Sequence, residues 1–286
     1  MAVYKRGYRR YQGPRTGRWA RFLVLPRYAW RRLYQQRLVL LLTMLAFVWP
    51  ILCGGFIYLT NHAELLQGLD GDFKEFIQAN GDFFSIFMYV QAGFAVFLAA
   101  LAGPGLIAPD LANNALPLYF SRPITRWSYA LARLTVLMGM LSVVTWVPGL
   151  MLFGLQAGLA GGEWLRANWS LGPAIFAGFV IWLLILSLVA MASSAYVKWR
   201  VVAAAVSLAF FFVLSGIAEM VDSVLRVKWG HIIDPAYSAN QVCRALLGVS
   251  PAGGPSPAAS AGALTAMILL LVFVIERKLR PVEVVS

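Results

Sequence analysis

The sequence predicts an all-α integral membrane protein with six transmembrane helices. Both chain ends are expected on the cytoplasmic side (N-in/C-in), with an N-terminal amphipathic helix lying in the interface. Three observations carry this reading. The 286 residues are 60% hydrophobic and only 13% charged, with a mean hydropathy of +0.72, whereas soluble domains are about a quarter charged. Six apolar stretches reach or approach the roughly 20 residues needed to cross a hydrocarbon core about 30 Å thick. Basic residues are shared unequally among the segments that join those stretches.

The stretches are Leu38–Leu59, Phe83–Ala108, Leu134–Leu159, Leu171–Val197, Val201–Ala218 and Ala258–Ile275. If they alternate from a cytoplasmic N-terminus, the cytoplasmic pieces are residues 1–37, 109–133, 198–200 and 276–286. Those pieces hold 19 of the 24 Lys and Arg, and the other side holds nine of the 12 acids. The positive-inside rule then selects N-in and C-in. The expected location is the plasma membrane, multi-pass, in bacteria the inner membrane. The same distribution accounts for the net charge of +12 without nucleic acid, and no nucleic-acid partner is expected.

Residues 1–37 read as a basic cytoplasmic tail followed by an interfacial helix. Residues 1–20 contain no acid and are drawn to anionic headgroups at about 1 kcal/mol per basic residue. From Trp19 to Arg37, aliphatic and aromatic residues interleave with Arg21, Arg27, Arg31 and Arg32 at helical spacing, the pattern of a helix lying in the interface. Pro26 is expected to start or kink it. No cleaved signal peptide is expected, since the arm is long and basic.

Between the spans, the first outer loop carries Glu64, Asp70, Asp72, Glu75 and Asp82. The spacing fits no calcium loop, so it reads as a solvated acidic face. His62 and His231 are the only histidines and bring no further metal ligands with them. Cys53 and Cys243 are expected to differ in depth and to stay unbridged. Small residues recur every four positions at Ala95, Ala99 and Gly103, and again at Gly154, Gly158 and Gly162. That spacing allows close helix packing, either at a dimer or gate interface or, the reading favoured here, within one bundle. The segment 219–257 is predicted to hold a short helix from Pro235 to Gly248, re-entrant or interfacial at the outer leaflet.

Ionisable groups inside spans mark proton and ion pathways, and here Asp110, Arg133, Lys198, Glu219 and Glu276 all fall at span ends. Coupling of transport to protons is therefore disfavoured, and any energy source is expected outside this chain. The chain holds no Gly-x4-Gly-Lys-Ser/Thr phosphate loop, no His-Glu-x2-His and no Gly-x-Ser-x-Gly. No catalytic residues, metal site or cofactor are assigned, and an enzyme is not expected.

One loop stands out between two apolar runs: Leu116-Pro117-Leu118-Tyr119-Phe120-Ser121-Arg122-Pro123-Ile124-Thr125-Arg126-Trp127-Ser128-Tyr129. Pro123 fixes the backbone and Ser121 is placed to cap a helix after it. Arg122 and Arg126 are four apart and share a helix face. Trp127 and Tyr129 are the kind of residue enriched at interface hot spots. The loop reads as a rigid basic element presented to a cytoplasmic partner.

Residues 105–129 resemble the cytoplasmic loop after the second span in permeases of the type 2 ABC transporter family. Members show an acid after span two, a leucine-rich stretch, Ser-Arg-Pro-Ile or Ser-Arg-Pro-Leu, a second Arg and an aromatic. Asp110, Leu116, Leu118, Ser121, Arg122, Pro123, Ile124, Arg126 and Trp127 supply these in order. Arg133 stands where many relatives carry Lys, which keeps the charge. The resemblance implies an exporter permease whose 109–133 loop is a coupling helix seated in a separate ATPase subunit. It also implies a second permease subunit, identical or related, with ATP and Mg bound only by the ATPase. Asp110 is expected to pair with an arginine of the loop and hold its angle. The cargo is not identified; substrate contacts are expected from spans two and five. A non-transporting scaffold or sensor that recruits a cytoplasmic partner through the same basic face is the alternative.

The orientation is open to a direct check. Alkaline phosphatase, active only outside the cytoplasm, is expected to be active when fused within the 60–82 loop and inactive when fused within 109–133.

Overall fold

The computed structural model describes residues 18–62, 79–113 and 126–279. Among these residues every regular element is helical. Helix α1 (Arg18–Tyr34) leads into α2 (Arg37–Asn61), followed by α3 (Gly81–Ala102), α4 (Pro104–Ala112), α5 (Arg126–Val144), α6 (Trp146–Ala160), α7 (Gly162–Asn168), α8 (Leu171–Tyr196) and α9 (Arg200–Leu225). A 3-10 turn at Gly230–Ile233, α10 (Pro235–Leu246) and α11 (Pro257–Leu279) complete the chain. Six helical stretches are long and apolar enough to cross a membrane: Arg37–Asn61, Gly81–Asp110, Trp127–Ala160, Leu171–Tyr196, Arg200–Leu225 and Pro257–Lys278.

Helix α8 is the centre of the bundle. Its most apolar window has a mean hydropathy of 2.7 and is 72% buried, against 22–28% for α2, α9 and α11. A helix apolar all round belongs inside, and α8 packs against α3, α4, α5, α6, α9, α10 and α11. Leu183, Ile185 and Ile175 are fully buried there. Helices α2, α9 and α11 form the flank and keep residues such as Leu41, Phe212 and Leu269 more than half exposed, as lipid-facing surfaces require.

Two of the six stretches are broken. In the second, the hydrogen-bond ladder is interrupted between α3 and α4, where Pro104 brings no N–H, while Gly103 keeps helical dihedrals (φ −57°, ψ −49°). A Cβ at Gly103 would lie 2.7 Å from the Ala99 carbonyl oxygen and against Ala190, so the absence of a side chain lets α4 close on α8. Ala95 and Ala99 are buried on the same face, which makes the first small-residue series intramolecular packing. The second series differs: nothing lies within 4 Å of a Cβ built at Gly154, Gly158 or Gly162. Those glycines are exposed and pack against nothing else among the described residues.

The third stretch breaks at Thr145, whose ψ of −95° lies outside the helical region. A carbonyl four residues before a proline loses its helical donor, and in lipid an unpaired backbone group costs several kcal/mol. Pro148 orphans the Val144 carbonyl and Pro50, inside α2, orphans that of Ala46. One side chain serves both. The Gln91 amide nitrogen on α3 donates to Ala46 O at 3.0 Å and, through a shorter contact, to Val144 O. Gln91 is fully buried. The Thr145 hydroxyl donates to Leu141 O at 2.8 Å, completing the repair of the bend. Three stretches are thereby stitched together at mid-depth.

Several boundaries differ from the sequence expectation. Of the two places expected for Pro26, the start of the helix or a kink within it, the structure puts it inside α1. Helix α9 runs on to Leu225, so Glu219–Leu225 belongs to the fifth stretch and not to a loop. Its acids Glu219 and Asp222 sit three apart on one face and meet His231: Asp222 Oδ2 is 2.6 Å from His231 Nδ1, and Glu219 Oε2 is 3.6 Å from Nε2. Helix α10 begins at Pro235, capped by Asp234, which accepts from Ala236 N and Tyr237 N at 2.8 and 3.2 Å. It packs on α3, α8, α9 and α11, wedged into the bundle. Both cysteines are free. Burial on α10 pushes the Cys243 thiol up to about 12, leaving it protonated and inert.

Replacing Gln91 by Leu is expected to lower stability by about 1–2 kcal/mol, read by thermal unfolding in detergent. In a Pro148→Ala background, which restores a backbone donor for Val144 O, the same replacement should cost less.

Candidate functional site

The residues singled out in the 109–133 stretch divide between two helices and a segment outside the description. Ser121, Arg122, Pro123 and Ile124 lie outside the described residues. Arg126 opens α5. Asp110 is near the end of α4, and Tyr129 and Arg133 are four apart on one face of α5. The helices thus reach further than expected: α4 runs to Ala112, where Asn113 closes it by donating its backbone and side-chain N–H to Pro109 O at 3.1 and 2.9 Å.

Asp110 is the meeting point. Its Oδ2 accepts from the Tyr129 hydroxyl at 2.6 Å and from the Arg133 guanidinium in an ion pair. The Asp110 and Arg133 side chains are only 17% and 11% exposed. The Arg133 guanidinium also lies 5.1 Å from the centre of the Tyr129 ring. Among the described residues the arginine that meets Asp110 is Arg133, and it is helical rather than part of a loop. Tyr129 is fully buried and faces Asp110, which removes it as a surface anchor. Trp127, 53% exposed, is the aromatic left available beside the segment.

A low-dielectric setting strengthens such a clasp only while every member is paired. Here one carboxylate, one guanidinium and one phenol join the two roots of the 113–125 segment. The clasp thus ties the end of α4 to the start of α5. Helix α4 is fixed in turn by Ser194 of α8, whose hydroxyl accepts from Ile107 N and Ala108 N at 3.3 and 2.8 Å and donates to Pro104 O at 3.2 Å. Helix α5 is tied to α1. The Trp30 indole N–H donates to Val136 O at 2.7 Å, and its ring lies over Gly139, where a Cβ would come within 2.5 Å of it. Trp30, Ser194 and Gln91 were not singled out as partners in the sequence. The only signals available were prolines inside spans and a lone glutamine between them.

A second feature lies among α3, α8, α9 and α10. It is an open apolar cavity of about 460 Å³ whose walls include Gly93, Phe97, Phe179, Trp182, Phe212 and Cys243. Ser215 and Asn240 add isolated polar groups. Helices α3 and α9 belong to the second and fifth stretches, from which substrate contacts are expected.

Neither the comparison with protein-family models nor that with curated proteins gives a match.

The clasp makes a graded prediction. Asp110→Asn leaves a guanidinium without its counter-charge and is expected to cost about 3 kcal/mol. Tyr129→Phe removes one neutral hydrogen bond and should cost about 1 kcal/mol. The double variant Asp110→Asn/Arg133→Gln should be less destabilised than the sum of its single changes, as measured by thermal unfolding in detergent.

Proposed function

We propose that this chain is the membrane-spanning permease subunit of an ATP-driven ABC exporter. In this reading the chain lies N-in and C-in in the plasma membrane and works as a pair of permease subunits with a separate ATPase. ATP and Mg belong to that ATPase. The observation that carries the proposal is the Asp110–Tyr129–Arg133 clasp across the roots of the 113–125 segment. That segment holds Ser121-Arg122-Pro123-Ile124, the motif resembling a coupling helix.

The mechanism follows from the joints. Closing of the ATPase dimer pushes the coupling segment, and the clasp passes the push to α4 and α5 as one body. Trp30 carries α1 with them. The joint at Thr145 lets α5 tilt against α6, and α4 moves with it through the clasp, with Gln91 as the pivot. The apolar cavity between the second and fifth stretches sits beside that pivot, suiting a substrate with an apolar portion. Alternation between inward-open and outward-open states is then a tilt of half-helices that leaves the Gln91 stitch in place.

A pull-down from detergent-solubilised native membranes tests the reading. Wild type is expected to bring down an ATPase carrying a Gly-x4-Gly-Lys-Ser/Thr loop, and Arg122→Glu/Arg126→Glu is expected to lose it. No ATPase with wild type in several mild detergents would favour the scaffold or sensor that recruits some other cytoplasmic partner.

A further inference from the structure

At the end of the bundle where α2 and α9 begin, a cavity of about 250 Å³ opens between α1, α4, α5 and α9. Its wall includes Arg32, Arg133 and Arg200 but a single carboxylate, Asp110. Asp110 is already paired with Arg133. Among the described residues no acid forms an ion pair with Arg32 or Arg200. Arg32 and Arg200 therefore line one concavity without an acid paired to either among the described residues.

The position of Arg200 is built. Its guanidinium donates to the Gln36 side-chain oxygen and, at 3.2 Å, to Leu101 O. Gln36 precedes α2 and Arg200 opens α9, and neither helix has a side-chain cap. Two helix starts with unsatisfied N–H groups thus border the cavity and add partial positive charge to that of the arginines. The cavity is also at a defined depth. One spanning stretch ends in its wall at Asp110, another begins there at Arg200, and a third begins next to Gln36, which is the level of the polar headgroups.

We propose that this cavity binds a phosphate-bearing anion, held by Arg32 and Arg200, while Asp110 keeps Arg133 committed to the clasp. Guanidinium groups match phosphate oxygens in a two-pronged geometry. The phosphate comes either from an anionic phospholipid headgroup or from a small solute. Occupancy joins α1, the start of α2 and the start of α9 beside the clasp, so the ligand would stiffen the end of the molecule that bears the 113–125 segment. The site stands whether or not the chain couples to an ATPase.

The test uses the full chain in detergent, stripped of lipid and titrated with phosphatidylglycerol or phosphatidylcholine, with binding read by native mass spectrometry. Phosphatidylglycerol is expected to bind in preference to phosphatidylcholine. Arg32→Gln and Arg200→Gln should each weaken it about fivefold, the effect of roughly one basic residue. Arg27→Gln, which changes an exposed arginine of the same helix outside the cavity wall, should leave it within about twofold. Circular dichroism checks that each variant is folded, and Arg32→Gln serves alone if loss of the Arg200–Gln36 contact disturbs folding. Displacement of the lipid by millimolar inorganic phosphate assigns the site to a small solute, and persistence assigns it to the headgroup. Equal binding of the two lipids, or equal losses in Arg27→Gln and Arg32→Gln, would overturn the proposal.

Discussion

Two carbonyls without donors, and one amide that reaches both, hold this architecture together. In water the carbonyls of Ala46 and Val144 would take a hydrogen bond from solvent; inside a bilayer they must find one in the protein. Pro50 and Pro148 create the need, and Gln91 meets it from the intervening helix. The arrangement also fixes which way the amide is turned, since two acceptors can be served only by its nitrogen. Depth and rotation of the first three stretches are thereby set against one another. The rest of the bundle assembles around α8 by close packing and a few hydrogen bonds such as those of Ser194 and Ser193, since lipid supplies no hydrophobic force to favour one apolar face over another.

Against this fixed mid-plane, the end carrying α1 is made of separable parts. The interruptions at Pro104 and Thr145 mark off two half-helices, and polar contacts join them to each other and to their neighbours: Asp110 to Tyr129 and Arg133, Ser194 to the start of α4, Trp30 to α5. The proposed anion cavity lies at the same end and shares Asp110 and Arg133 with the clasp. Polar contacts tolerate small changes of angle better than close-packed apolar faces do. Polar contacts thus gather where the proposed function needs movement, as they also do at the opposite end around Asp222, His231 and Asp234.

Much of the fold was legible because the bilayer imposes a length. Six apolar runs gave six spanning stretches, and the short helix expected from Pro235 is α10, whose cap by Asp234 only the structure shows. The ends of the helices were less legible. A hydropathy window stops at charge, yet Asp110, Arg133, Glu219 and Asp222 are all helical, since helices run on through polar residues once these find partners. The site was readable as a motif and unreadable as a geometry. Tyr129 reads as an anchor by residue type, and only its spacing from Arg133, together with the packing that brings α4 alongside, shows that it turns inward. Ser121, Arg122, Pro123 and Ile124 lie outside the described residues, so their part rests on the motif. Gln91 was visible as a buried neutral polar residue, but its two partners are more than forty residues away on either side, and no local pattern connects them.

The central place of α8 has a consequence for how the protein is made. Helix α8 is the most apolar of the spanning stretches and enters a bilayer readily by itself, yet two of the faces that surround it belong to α10 and α11, which the ribosome has not yet synthesised when α8 emerges. Until those last residues arrive, lipid must stand in for protein along one side of the most heavily enclosed helix. A nascent chain is thus inserted early and completed late. Loss of the C-terminal segment would leave a bundle inserted in the membrane with its centre uncovered, the state that quality-control proteases of the membrane recognise.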